Sequence, residues 1–343
     1  MTTLLIYGAA GFTGKLICAQ ARKHLEVLAA GRRAPPGAFE DFLPLELMDA
    51  GGLRAALARV PAVLNCAGPF AHTWEPLVEA CLDTGTHYLD LCAEWAVFEA
   101  MRRRDAAARE RGVLLLPGVG FDVVATDCLA AHVAARLPGA QRLEIGISGL
   151  ELVSRGSART IFELAGEPVR VRRGGEIVPE AQLREAHFDF GAGPRPAYGV
   201  SWADVSSAHH TTGIPDIAVF FEATPAVAAL ALANRSFGWL ARTKLLGGLA
   251  RAQLALLPPG PLPQQRAARR AVVVARATDE KGRSVSARLT TPEAYSFSAA
   301  SAVAAVRSVM RDNPPPGFQT PGSLFGADFV LGLEGVERTE IPS

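Results

Sequence analysis

The 343-residue sequence is short of lysine, of net charge and of long apolar runs. Lysine occurs only at positions 15, 23, 244 and 281, so nearly all basic charge is arginine in an Ala-, Gly- and Pro-rich background. That bias reads as compositional drift. Lys plus Arg number 35 and Asp plus Glu 34, leaving a net charge of +1. No basic block is long enough to form a nucleic-acid groove. The densest cluster, Arg102-Arg103-Arg104, is followed by Ala106 to Ala108 and Arg109-Glu110-Arg111 and reads as the wet face of a helix. Five cysteines, Cys18, Cys66, Cys81, Cys92 and Cys128, are an odd number without paired spacing, most of them inside apolar segments. They read as small core residues in a reducing compartment, not as a disulfide framework. No cluster of His, Cys and carboxylate has metal-ligand spacing. No charged and then apolar leader precedes the first strand candidate, so the expected location is cytoplasmic. These exclusions favour a neutral small molecule or a lipid as the ligand. At 49% hydrophobic residues, the chain has the length and apolar content for two well-buried domains.

The stretch "LLIYGAAGFTGKLI" carries the strongest local signal. Leu4 to Tyr7 is a short run of strand formers bounded by Gly8. Gly8, Gly11 and Gly14 stand three apart, and Lys15 to Lys23 carries Leu16, Ile17 and Ala21 at helical spacing. The order strand, glycine turn, helix places the unpaired amides and positive dipole end of a helix where a pyrophosphate can rest on them. The expected cofactor contacts here are Gly8, Ala10, Gly11, Phe12, Thr13 and Gly14. The second strand candidate, Glu26 to Ala30, ends in Gly31-Arg32-Arg33. An acidic residue there would bind the ribose hydroxyls of NAD, whereas Arg32 and Arg33 suit the 2'-phosphate of NADP.

Further strand candidates are Leu43 to Leu47, Ala62 to Cys66, Tyr88 to Leu91 and Val113 to Leu116, with helical stretches between most of them. This alternation predicts a Rossmann-type parallel sheet. From about Gln141 the pattern changes: segments 143–147, 169–172, 217–221, 271–277 and 284–289 alternate apolar with polar, as in a one-sided antiparallel sheet. Ala294 to Met310 then reads as a long helix folding back on the first domain. The expected organisation is an α/β NADP-binding Rossmann domain of residues 1–130 plus 295–343, with an inserted α+β substrate or oligomerisation domain of 131–294. Residues 224–257 are rich in Leu, Phe and Trp but interrupted by Asn234, Arg235, Arg242, Lys244 and Arg251. They fall short of the about 20 nearly unbroken apolar residues of a membrane span. A core helix, a dimer helix, a lipid-pocket wall and a peripheral membrane contact all fit this segment.

Three strand ends carry polar or small residues toward one edge. "NCAGPF" adds Cys66, Ala67, Gly68, Pro69 and Phe70 to the expected cofactor contacts, because small residues and a fixed turn let the backbone approach a ligand. "THYLDLCAE" supplies Tyr88, Asp90 and Glu94, and "PGVGFDVVATD" supplies Asp122, which fits either a helix cap or an acid. His209 and His210 read as neighbours on a strand, so at most one reaches a common site. Tyr88, Asp122 and His209 are the candidate substrate contacts, with Tyr198 beside them. The residues leave the catalytic group open.

The motifs "YGAAGFTG", "NCAGPF", "GTHYLDLCAE" and "PGVGFDVVATD", in this order and separation, resemble the NADP-binding half of saccharopine dehydrogenase-like reductases. Within that superfamily, segments 204–224 ("DVSSAHHTTGIPDIAVFFEAT") and 316–336 ("PGFQTPGSLFGADFVLGLEGV") resemble the bacterial trans-acting enoyl reductase subgroup. The resemblance implies an NADP-dependent reductase acting on a carbon-carbon double bond of a polyketide-derived or lipid-linked substrate. The sequence departs from the family pattern at Ala10, where Thr is common, at Cys92-Ala93, which replaces Thr-Gly, and at Val123 to Ala125, which replaces a Ser-Val-Pro-like run. These departures bear on substrate contacts. The rival reading is a non-catalytic NADP-binding protein that uses 224–257 for lipid or a partner such as a second copy.

Overall fold

The computed structural model describes residues 3–34, 37–39, 41–158, 167–180, 182–225, 227 and 258–342. The apolar segment expected at 224–257 therefore lies almost wholly outside the described residues.

The first half alternates strand and helix: β1 (Thr3–Tyr7), α1 (Phe12–Ala21), β2 (Glu26–Gly31), β3 (Phe42–Pro44), α2 (Ala50–Leu57), β4 (Ala62–Asn65), α3 (Trp74–Thr84), β5 (His87–Asp90), α4 (Trp95–Arg102), α5 (Asp105–Glu110), β6 (Leu114–Leu116) and α6 (Phe121–Arg136). β1, β4, β5 and β6 are short and almost fully buried, as strands covered on both faces are, whereas β2 and the edge strand β3 are partly exposed. The second part runs β7 (Arg142–Ser148), β8 (Arg170–Arg173), β9 (Glu176–Pro179), β10 (Glu185–Asp189), β11 (Pro194–Val200), α7 (Asp204–Thr212), β12 (Asp216–Glu222), α8 (Pro263–Ala267), β13 (Arg270–Thr278) and β14 (Ser284–Pro292). The chain ends with α9 (Ala294–Asp312), β15 (Gly317–Phe318), α10 (Pro321–Phe325) and β16 (Glu337–Ile341).

The first sheet has the order β15-β6-β5-β4-β1-β2-β3 and every neighbouring pair is parallel. The strand order reverses between β1 and β4, so the crevice at their carboxyl ends is the topological switch point where such sheets bind ligands. Leu5, Tyr7, Val63 and Tyr88 pack under α2 to α5 on one face. On the other face Leu4, Ile6, Leu64 and Leu89 pack under α1 and α9.

The second sheet follows β10-β11-β12-β7-β13-β14-β16, with the β8-β9 hairpin joined to β12. It is mixed rather than purely antiparallel, because β7 and β12 run parallel. The chain between them is long enough to cross over and return in the same direction. Its inner face, with Ile145, Val219 and Val273, packs on α6 and α7. Residues 295–343 divide between the sheets: β15 extends the first by pairing with β6 and β16 extends the second by pairing with β14. Thr339 and Glu340 follow no apolar alternation, and their position is set by the edge that β14 offers.

Candidate cofactor crevice and active site

The glycine turn joins β1 to α1. Gly8 has φ +79° and its amide donates to the Ala30 carbonyl at 2.9 Å, tying the turn to the end of β2. A Cβ at Gly8 would stand 2.8 Å from the Ala67 nitrogen, and one at Gly14 would stand 2.3 Å from the Gly8 carbonyl oxygen. The backbone is thus pressed against itself at the switch point. α1 begins at Gly11 with no side-chain cap and no acidic residue in its first turn, which leaves its amides and dipole for an anion. Gly11 is exposed and Ala10, Phe12 and Thr13 are half-buried. Arg32 and Arg33 follow β2 directly, are exposed, and form no ion pair with any described residue. The cradle and the free guanidiniums fit a dinucleotide with a phosphate on its ribose.

The ends of β4, β5 and β6 are held by one polar network. Asp90 is completely buried; its carboxylate accepts from the Cys92 amide at 2.8 Å, the Gly118 amide at 2.9 Å and the Tyr88 hydroxyl at 2.9 Å. Burial pushes its carboxyl up to about 7 against those three hydrogen bonds. Asn65 donates to Tyr88 and to Thr73, both at 3.1 Å, and its side-chain oxygen accepts from the Ala67 amide at 3.0 Å. Thr73 closes the loop by donating to the Ala67 carbonyl at 2.8 Å. Glu94 accepts from the Phe70 and Ala71 amides at 2.7 and 2.9 Å. The "NCAGPF" segment is thereby held at Asn65, Ala67 and Phe70, and Ala67, Pro69 and Phe70 are half-buried.

The far wall comes from α6 and α9. Gly120 caps α6, so Asp122 is its second residue and not its cap. Asp122 is half-buried, and burial pushes its carboxyl up to about 7 although a helix N-terminus favours the anion. Its charge is felt by the Tyr295 hydroxyl and the Cys92 thiol. Tyr295, in the first turn of α9, packs edge-on to Phe12 with ring centres 5.2 Å apart. It also anchors segment 154–157, since the Ser154 amide donates to its hydroxyl at 2.6 Å and the Ser157 hydroxyl lies 2.9 Å away. Phe12 and Tyr295 thus pack together beside the glycine turn, and Asp122 lies near enough to Tyr295 and to the buried Cys92 for its charge to act on both.

Of the candidate substrate contacts, Asp122 is the second residue of α6, which follows the carboxyl end of β6. Tyr88 is fully buried under the helix layer and its hydroxyl is spent between Asn65 and Asp90, so it positions the strand ends. His209 and His210 lie in helix α7, not on a strand. Val205 and Ala208 fall at helical spacing on its buried face, and Gly213 at φ +72° ends it. The end of α7 near Asp122 is marked by Trp202, whose indole donates to the Asp122 carbonyl at 3.1 Å. His209 sits at the opposite end, its Nδ1 bonded to the Ile214 carbonyl at 2.9 Å, and His210 is exposed beside Phe318. Tyr198 is half-buried on β11, opposite Phe221. Sequence reasoning missed Tyr295, Ser154, Ser157 and Arg266. The one available signal was the breaker Pro258-Pro259-Gly260-Pro261, which brings its chain against Phe12. No group of three or more His, Cys, Asp or Glu among the described residues is placed to hold a metal, and none of their helices is long and apolar enough to cross a membrane.

Fold and site define a Rossmann-type dinucleotide-binding domain joined to a mixed-sheet domain. Residues 4–116, the N-terminal third of the chain, match the family model of the saccharopine dehydrogenase NADP binding domain. Its relatives include the trans-acting enoyl reductase of Mycobacterium leprae, 33% identical over 141 residues, or 36% of this chain and 33% of that protein. The saccharopine dehydrogenase-like oxidoreductase of Rattus norvegicus is 26% identical over 151 residues, or 36% of this chain and 35% of that protein. The chain spans about a third of the length of these curated relatives. The fold as a whole is similar to that of the glutamate-forming saccharopine dehydrogenase of Saccharomyces cerevisiae, with a TM-score of 0.63, 13% identity and 100% of both chains covered.

Proposed function

We propose that the protein is an NADPH-dependent reductase of a carbon-carbon double bond in a hydrophobic, lipid-linked or polyketide-like substrate. The observation that carries the reading is Asp122, a half-buried carboxyl with its proton held to about pH 7, in the first turn of α6 after the carboxyl end of β6. NADPH held by the glycine turn would supply the hydride for the carbon beta to a thioester carbonyl. The double-bond electron pair displaced by that hydride would rest on the thioester oxygen, and the role of Asp122 would be to give its proton to the alpha carbon, leaving the carboxylate. Phe12 and Tyr295, packed edge-on with ring centres 5.2 Å apart, offer an apolar surface beside the turn for such a substrate. The motifs shared with enoyl reductases and the relative from Mycobacterium leprae support the substrate class.

The test is NADPH consumption with a panel of enoyl thioesters, imines and carbonyl compounds. Enoyl thioesters are expected to be reduced, with the rate falling as pH rises through about 7 as Asp122 loses its proton. Asp122→Asn should lower kcat by about a hundredfold and remove that limb. NADPH surviving the whole panel unchanged would leave the protein a cofactor-binding module without this reaction.

A further inference from the structure

Segment 258–267 crosses from the second-sheet domain to the glycine turn. The ring of Phe12, the first residue of α1, lies so close to Gly260 that a Cβ there would stand 2.5 Å from it. In α8, Arg266 places its guanidinium over the same ring, 6.0 Å from the ring centre. Its Nη1 donates to the Ser296 hydroxyl at 3.0 Å, in the first turn of α9. Its Nε is buried and has no hydrogen-bond partner among the described residues. A buried guanidinium N–H without an acceptor is costly, and a fixed fork of this kind matches phosphate oxygens. The amides of α1 beside it are themselves an anion site without an acidic cap. Arg266 is therefore held by Phe12 and Ser296 at the mouth of the turn, with a donor left over.

We propose that Arg266 is a second-domain anchor for the pyrophosphate of the dinucleotide, so that the cofactor site is completed by both domains. The inference rests on the turn being the cofactor site. It explains why segment 258–267 is pressed against Phe12 at all: the packing of Gly260 fixes the height of α8 above the turn, and Ser296 fixes the side from which the guanidinium approaches.

Calorimetric titration with two probes tests this. NADPH engages the turn and the 2'-phosphate subsite, whereas adenosine 2'-monophosphate carries the 2'-phosphate and no pyrophosphate. Arg266→Ala is expected to weaken NADPH about tenfold or more while binding of adenosine 2'-monophosphate stays within twofold, and Arg266→Lys should recover part of the loss. Arg266→Met keeps the stem over Phe12 and carries the same test if the Ala variant loses both probes by misfolding. NADPH affinity within twofold of the unmodified protein in a folded Ala or Met variant overturns the proposal. Failure of the cofactor reading looks different: the unmodified protein then binds neither probe, and the proposal falls with it.

Discussion

Replacing Gly8 by Ala separates two effects that the switch point combines. At φ +79° an L side chain costs about 1–2 kcal/mol in backbone strain. The added Cβ would also meet the Ala67 nitrogen at 2.8 Å and the Cys66 carbonyl carbon at 2.9 Å. These are backbone atoms at the end of β4 and cannot rotate aside, so the tips of β1 and β4 must part, at about 1–3 kcal/mol for overpacking of this kind. The total is about 2–5 kcal/mol. Gly85 supplies the control, since it has φ +74° at the end of α3 and a Cβ there would have nothing within 4 Å. Gly85→Ala should therefore show the strain alone, about 1–2 kcal/mol. Urea unfolding of both variants gives the difference, and NADPH titration shows whether the amides of the turn have moved. We expect Gly8→Ala to lose at least about 1 kcal/mol more than Gly85→Ala and to bind NADPH more than about tenfold more weakly, while Gly85→Ala binds it normally. Equal stability losses together with unchanged NADPH affinity in Gly8→Ala would contradict the close-approach account.

The guanidiniums of Arg32 and Arg33 are exposed and free of ion pairs with described residues. The double Ala variant should therefore lose about 1.5–3 kcal/mol of NADP binding with NAD affinity unchanged; an unaltered preference in paired titrations would remove these residues from the 2'-phosphate subsite. Asp90 gives a pH signature. Its folded carboxyl sits at about 7 and the unfolded one at about 3.9, so the folded state holds a proton that unfolding releases between those values. Its contribution to stability is greatest at the acid end and is lost as pH rises through about 7. Asp90→Asn keeps an oxygen for the Cys92 and Gly118 amides and does not titrate. Its stability relative to the unmodified protein should rise between pH 5 and 8 in urea melts, and a pH-independent difference would show that Asp90 is ionised throughout.

The parallel half of the fold was legible because its signals are local. Leu4 to Tyr7, Ala62 to Asn65 and Leu114 to Leu116 are apolar runs cut by Gly or Pro, and a strand buried on both faces needs nothing else. The positions of the glycine turn and of "NCAGPF" follow from the same punctuation. What escaped depends on partners distant in sequence. α7 is built from "DVSSAHHTT", whose β-branched and hydroxyl residues are poor helix formers; it is helical because Val205 and Ala208 pack into the core shared with α6. β11 carries Pro194 and Pro196, which argue against a strand, yet it is held between β10 and β12. Tyr88 looks like a crevice residue because it stands at a strand end, and only the pairing of β4 with β5 shows that Asn65 and Asp90 occupy its hydroxyl. Arg266 belongs to a five-residue helix that has no periodicity to read.

The same dependence on distant partners explains how two domains can share one crevice. Glu99, on α4 of the first domain, accepts from Arg172 of β8 and from Ser206 of α7, both at 2.7 Å. Burial raises its carboxyl, but Ser206, Arg102 and Arg172 outweigh that and leave it below the usual carboxylate range. Arg172 is itself almost wholly buried and donates to the Val205 and Gly175 carbonyls as well, so removing Glu99 would strand a charge whose desolvation is already complete. This pair fixes α7 against α4. α6 runs from the crevice into the second core, with Phe121 edge-on to Phe297 of α9 and its amide donating to Ser298 at 2.9 Å. Asp122 is thereby carried on a helix clamped by both domains, and Tyr295 on the helix packed against α1. On the side of the glycine turn, the second domain meets the first through Phe12, Gly260 and Arg266, a contact of one ring, one bare backbone and one guanidinium whose Nε has no partner among the described residues. Among the described residues the junction at α4 is charged and satisfied, whereas at α1 the Nε of Arg266 has no partner, so truncating Glu99 should destabilise the protein more than truncating Arg266.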